Sequence, residues 1–188
     1  AGGPTAVSSS VTSNTTGSIL VDGLVNWDNA AATDSLTLNA GQAIEVITGT
    51  GSITMTDANG DLSGTLELTA HDIWVADQAT IDQLEIDPNF AGLAAALATN
   101  NGAVVEDGYV RAGGVEATML GSSFLVQNSG TATDFAGITV GDGGLTIVNQ
   151  GLDPATIIAF GRQVTSGGTV VSGDAVAVVV DPASQFRN

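Results

Sequence analysis

Apolar and polar residues alternate along three short stretches of the chain: Ser35-Leu36-Thr37-Leu38-Asn39-Ala40, Ser52-Ile53-Thr54-Met55-Thr56-Asp57 and Thr65-Leu66-Glu67-Leu68-Thr69-Ala70. A period of two sends successive side chains to opposite sides of an extended backbone, so each stretch predicts a strand with one buried face. Gly-rich turns lie beside all three. The spacings are unequal, 17 residues from Leu36 to Ile53 and 13 from Ile53 to Leu66. That excludes a strict short-period solenoid and fits a winding β-structure with corners of variable length, the parallel β-helix.

The same reading places further strands at Ile19 to Val21, Leu24 to Trp27, Ile44 to Ile47 and Ile73 to Val75. Turns fall at Asp22-Gly23, Gly49-Thr50-Gly51 and Asn59-Gly60, residues that accept positive φ. Asn59-Gly60 also suits a two-residue hairpin, which leaves an antiparallel sandwich as the alternative architecture. Over residues 77–100 the period changes to that of a helix. Asp77 is placed to cap it, Pro88 divides it, and Ile81, Leu84, Phe90, Leu93 and Leu97 form the apolar stripe. This insertion would cover the side of the β-structure or lie over its lumen. Strands resume from Val104 to Val180, clearest at Phe124 to Val126, Ile138 to Val140, Leu145 to Ile147, Thr156 to Phe160 and Val176 to Val180. The resulting division is an arm at 1–17, a β domain at 18–181 with its insertion at 77–100, and a tail at 182–188. The uncharged arm reads equally well as a loosely ordered segment or as a strand that pairs with a neighbouring molecule.

Charge narrows the partners. Among 188 residues, 20 are acidic and only Arg111, Arg162 and Arg187 are basic, for a net charge of −17. Nucleic acid is excluded as a partner, because neutralising phosphates takes clustered Lys or Arg. Divalent cations and cationic surfaces would be attracted, and an acidic coat also keeps a protein in solution. With no cysteine, neither disulfides nor thiolate metal sites exist. No apolar run reaches the roughly 18 residues of a spanning helix, so no transmembrane segment is expected. The start Ala1-Gly2-Gly3-Pro4 leads us to expect a processed, secreted product or a piece of something longer.

Two regions resemble a known family. Asp34-Ser35-Leu36-Thr37-Leu38-Asn39-Ala40-Gly41-Gln42-Ala43-Ile44 and Gly64-Thr65-Leu66-Glu67-Leu68-Thr69-Ala70-His71-Asp72-Ile73-Trp74-Val75-Ala76 resemble the degenerate coils of filamentous haemagglutinin-like large exoproteins. The stretch from Val126 through Leu145-Thr146-Ile147 is similar to the C-terminal part of such exoproteins from Gram-negative bacteria. The resemblance covers about residues 18–165. It implies a right-handed parallel β-helix, secreted or held at the bacterial cell surface, with adhesive or structural roles. Residues 1–188 are not expected to include the family's N-terminal secretion domain, and they contain no Arg-Gly-Asp tripeptide.

Candidate chemistry is sparse. The sole histidine, His71, precedes Asp72, and neighbours on a strand point to opposite faces, so Asp72 is not expected to orient the imidazole as a hydrolytic triad requires. Polysaccharide-cleaving β-helices place carboxylates on one face. Here the acids are scattered, Asp72, Asp77 and Asp82 being the densest set, and two of these lie near the expected helix start, where capping and solvation account for them. Asp57, Asn59 and Asp61 alternate around a Gly turn and form a candidate Ca²⁺ site, although Leu68 stands where an EF-hand has its final carboxylate. Gly141-Asp142-Gly143-Gly144 lacks the Lys and the following helix of a phosphate loop. Trp27, Trp74 and Tyr109 would either stack on sugars or fill the core. The expectation is a non-catalytic, extracellular structural or adhesive protein with no cofactor beyond candidate Ca²⁺. It would self-associate through the β-helix ends or the arm, and a cell surface or glycan is its candidate ligand. A Ca²⁺-dependent binding module and a polysaccharide-cleaving enzyme are the alternatives.

Overall fold

The computed structural model describes residues 7–47, 50–86, 110–127, 137–151, 156–160, 164–166, 169–171 and 178–179. The elements are β1 (Ser8–Thr12), β2 (Ile19–Val21), β3 (Leu24–Asp28), β4 (Ser35–Asn39), β5 (Ala43–Ile47), β6 (Ser52–Thr56), β7 (Thr65–Ala76), α1 (Gln78–Ile86), β8 (Val110–Gln127), β9 (Ile138–Asn149), β10 (Thr156–Phe160), β11 (Val164–Ser166), β12 (Thr169–Val171) and β13 (Val178–Val179). Eleven strands form one curled sheet, and every pairing in it is parallel. Strands β11 and β12 make a separate antiparallel pair.

The pairings resolve into three ladders, visited in a repeating order. Ladder A runs through β1, β4, the first half of β7, the middle of β8 and the end of β9. Ladder B runs through β2, β5, the second half of β7, the end of β8, and β10. Ladder C runs through β3, β6, the start of β8, the start of β9, and β13. In-register parallel stacking sets like side chains about 4.8 Å apart. In ladder A, Leu36, Leu66, Val115 and Leu145 line up, with Leu38, Leu68, Ala117 and Ile147 beside them. Ile44, Ile73 and Phe124 align in ladder B, and Ile53, Val110 and Ile138 in ladder C. All three sets meet in a single buried core, where each apolar side chain removed from water contributes about 1.5–3 kcal/mol.

Antiparallel contact outside β11 and β12 is limited, among the described residues, to one bridge between Thr56 and Leu62. Asn59-Gly60 is therefore a local turn, with Gly60 at φ 86°, and the strands on either side of it join different parallel ladders. The antiparallel alternative falls on that point. Corners are tight as well: a Cβ on Gly51 would overlap the Val21 carbonyl of the preceding coil, so this position takes no larger residue without movement of backbone.

The stretch read as an arm is in part a strand of the chain's own sheet. Ser8 to Thr12 pairs with Ser35 to Asn39, and the buried Asp34 carboxylate accepts the Val7 amide at 2.9 Å. Small polar and β-branched residues suit this role because their outward positions continue the polar rows of ladder A. The helical insertion begins as expected. The Asp77 carboxylate accepts the Thr80 amide at 2.9 Å, and Ile81 and Leu84 are buried. They join Ala43, Ile47, Trp74, Ala76 and Leu125 in a second cluster on the outside of ladder B. The helix thus covers a flank of the sheet. Phe90, Leu93, Leu97 and the tail at 182–188 lie outside the described residues.

Candidate functional site

Strand β7 passes from ladder A to ladder B at Ala70–Asp72, and β8 makes the same passage over Met119–Ser123. The register shifts there, and the corner breaks strand alternation. As a result His71 Nδ1 lies 2.7 Å from Asp72 Oδ2, contrary to the expectation that neighbouring strand residues would point apart. The other Asp72 oxygen accepts the Ser123 hydroxyl at 2.6 Å, and Ser123 Oγ accepts the Trp74 indole N–H at 2.9 Å. A hydrogen-bonded chain therefore runs from an indole buried under α1 to an imidazole with 46% of its side chain exposed.

The order of groups decides what this chain can do. In a hydrolytic triad the imidazole lies between carboxylate and hydroxyl and takes the hydroxyl proton. Here the carboxylate lies between, and the Ser123 proton is committed to Asp72. Ser123 is 1% exposed and Asp72 4%. A carboxylate withdrawn from water needs such donors, and the network holds the A-to-B corners of two successive coils together. No local pattern marks Ser123's part, because it stands 51 residues from Asp72 and only the stacking register unites them.

The remaining candidates have separate duties. Asp77 caps α1, and Asp82 accepts the Gln78 side-chain amide at 2.6 Å, so the three acids do not face a common space. Asp57, Asn59 and Asp61 do share one turn. Its hydrogen bonds are internal: Asp57 Oδ1 accepts the amides of Asn59 at 2.8 Å and Asp61 at 3.0 Å, and Oδ2 accepts Asn59 Nδ2 at 3.3 Å. The Asn59 amide above all holds the Asp57 carboxyl below its usual range. Among the described residues no group of three or more His, Cys, Asp or Glu is placed to hold a metal ion. Trp74 is buried and Trp27 packs against the core, as the core-filling reading of these aromatics requires; Tyr109 lies outside the described residues. No helix among the described residues is long and apolar enough to cross a membrane.

What the sheet does display is the outward face of ladder A. One row aligns Ser10, Thr37, Glu67, Glu116 and Thr146, and a second aligns Thr12, Asn39, Thr69 and Thr118. Thr37 donates its hydroxyl to Glu67 at 2.8 Å. Hydroxyl, amide and carboxylate groups stand there at strand spacing, an arrangement suited to hydrogen-bonding a polyhydroxylated ligand. The in-register pairing of Glu67 with Glu116 had no counterpart in the sequence reading, since it depends on which strand lies beside which. Comparison of the chain with protein families, with characterised proteins and with solved structures gives no match.

Proposed function

We propose that this chain is a non-catalytic structural and adhesive segment of a secreted or surface-attached bacterial protein, built as a right-handed β-helix. One observation carries the reading: the strands return to ladders A, B and C in a fixed order, each time one strand further along. A chain wound in this way is a stiff scaffold whose flat outer face can be extended coil by coil. Ladder A supplies that face, and its rows of hydroxyls and carboxylates match the chemistry of glycans and hydrated cell surfaces. The excess of acid over base in the sequence suits exposure to the outside. The resemblance to filamentous haemagglutinin-like exoproteins agrees with the same role.

The test is binding to immobilised glycans and whole cells, wild type against Thr37→Ala/Thr69→Ala on ladder A, with assay of the same glycans for new reducing or unsaturated ends. Binding that the double variant weakens, with no ends released, is the expected result. Release of ends would replace this reading with a carbohydrate-cleaving one, and absence of binding to every surface would remove adhesion.

A further inference from the structure

At the A-to-B corner, strand β8 carries Leu120, Gly121 and Ser122 where β7 carries His71 alone, because Ala70 pairs with Met119 and Asp72 with Ser123. A bulge of this kind re-aims the side chains beside it. His71 is 46% exposed and Leu120 45%. Each stands one alternate position beyond an outward residue of ladder A, Thr69 and Thr118 respectively, which are themselves in register. The facing corner of the preceding coil is Gly41-Gln42, where the Gln42 carbonyl accepts the Asp72 amide at 3.0 Å and the Gln42 side chain is exposed.

An exposed side chain is ordinarily free to change rotamer, but this imidazole is held from behind. Asp72 Oδ1 accepts the Ser123 hydroxyl, which is tied in turn to the Trp74 indole, and Asp72 Oδ2 faces His71 Nδ1. A carboxylate can only accept, so in the neutral ring Nδ1 carries the proton and Nε2 keeps its lone pair. Among the described residues Nε2 has no hydrogen-bond partner. The buried chain of hydrogen bonds therefore ends in one oriented acceptor at the margin of the ladder A face.

The surroundings select what can donate to it. Glu67 and Glu116 stand on the same face, and among the described residues the one Lys or Arg is Arg111, on ladder C. Anionic sugars are repelled there, whereas an uncharged sugar brings hydroxyl donors without that cost. Leu120 and the flat of the imidazole offer apolar surface beside the acceptor, the usual mixture of a ligand site in which a few placed polar groups fix orientation. Building on the adhesive reading above, we propose that this corner is a subsite for an uncharged saccharide. His71 Nε2 accepts one sugar hydroxyl, the ring and Leu120 lie against the sugar's C–H surface, and Asp72 is the positioning residue that fixes the tautomer.

The chain has one histidine, so nitrogen NMR of the histidine-labelled full chain reads this ring alone. At about pH 8.5, above the ordinary imidazole range, the spectrum is expected to show a protonated Nδ1 and a bare Nε2. The probes are soluble trimers of glucose, galactose, mannose and N-acetylglucosamine, with trigalacturonate as the anionic comparison. At least one neutral trimer is expected to move the Nε2 signal, and trigalacturonate to leave it in place. His71→Phe, which keeps a ring and loses the nitrogen, is expected to weaken binding of that trimer about tenfold, the worth of one hydrogen bond, with an unchanged circular dichroism spectrum. Asp72→Asn turns an amide N–H toward Nδ1 while its oxygen still accepts from Ser123, so the proton is expected to move to Nε2 and binding to fall; a merely structural Asp72 would leave the tautomer as it was. A protonated Nε2 in the wild type overturns the proposal, as does an Nε2 signal that no neutral trimer moves or a His71→Phe chain that binds as well as wild type. Immobilised-glycan binding that Thr37→Ala/Thr69→Ala weakens and His71→Phe does not would refute the corner and leave the adhesive reading standing. Loss of binding to every surface together with a silent Nε2 would remove both.

Discussion

Strand β7 contains two environments within 12 residues. Its first half, in ladder A, alternates between half-buried and buried positions, with Thr65, Glu67 and Thr69 outward and Leu66, Leu68 and Ala70 inward. Its second half, in ladder B, is buried at every position from Asp72 to Ala76. The backbone pairing is the same in both, parallel on each side. What differs is what lies outside: solvent over ladder A, helix α1 over ladder B. Pairing alone therefore does not decide which side chains a strand can carry; the layer placed over it does.

The strongest way to break this comparison is to truncate the outward residue in each half. Trp74→Ala removes a 5% exposed indole that fills the space between ladder B and α1, and the expected loss is about 3–5 kcal/mol. Glu67→Ala, outward on ladder A, is expected to stay within about 0.5 kcal/mol. Chemical denaturation of both variants measures the contrast, and equal losses would mean that α1 does not bury ladder B in solution.

Next in size is the corner that joins the two halves. Ser123→Ala takes a donor from Asp72 and an acceptor from Trp74. Leaving buried polar groups short of a partner costs about 1–3 kcal/mol, so the midpoint of urea unfolding should drop between those of Trp74→Ala and Glu67→Ala. A midpoint equal to wild type would show that water replaces the hydroxyl.

A smaller effect, with a pH signature, comes from Glu45, the residue beside Trp74 in ladder B. Burial raises its carboxyl above the ordinary value of 4.5, Glu85 of α1 adds to the rise, and a hydrogen bond from Ser18 opposes it. The folded chain thus holds this proton more tightly than the unfolded chain. The group's stability contribution is greatest below the unfolded pKa and declines as pH rises through the folded one. Glu45→Gln is neutral throughout, so its Tm should exceed wild type at pH 7 by less than Ser123→Ala loses. The gain should vanish below about pH 4, where both side chains are uncharged. A gain that persists at pH 3 would assign the effect to packing.

How far these features were legible follows from the same contrast. Where solvent lies outside, alternation is explicit, and Ser35 to Asn39, Ser52 to Thr56 and Thr65 to Ala70 were readable as strands from their pattern. Where α1 lies outside, the period disappears: Ala43 to Ile47 is buried throughout, and its Glu45 looks out of place until the helix above it is known. The start of α1 was legible through Asp77, because capping is local. The His71–Asp72–Ser123 network and the Glu67–Glu116 pair were not, because both depend on inter-strand register over many residues. For the same reason Val110 to Gln127 proved to be one strand serving three ladders, where the pattern had marked Phe124 to Val126 most clearly.

The smallest expected effect is the most specific to ladder A. The Thr37 hydroxyl reaches Glu67 across one strand spacing, and both side chains are half-buried. A hydrogen bond to a carboxylate in the interior contributes about 1.5–3 kcal/mol, whereas water competes for both groups at a surface. A double-mutant cycle of Thr37→Ala and Glu67→Ala is therefore expected to give a coupling of about 0.5 kcal/mol, near the median of exposed polar and ionic pairs. A coupling above about 2 kcal/mol would mean that the outward face of ladder A is shielded from water much as ladder B is. The difference between the two halves of β7 would then be one of side-chain chemistry and not of exposure.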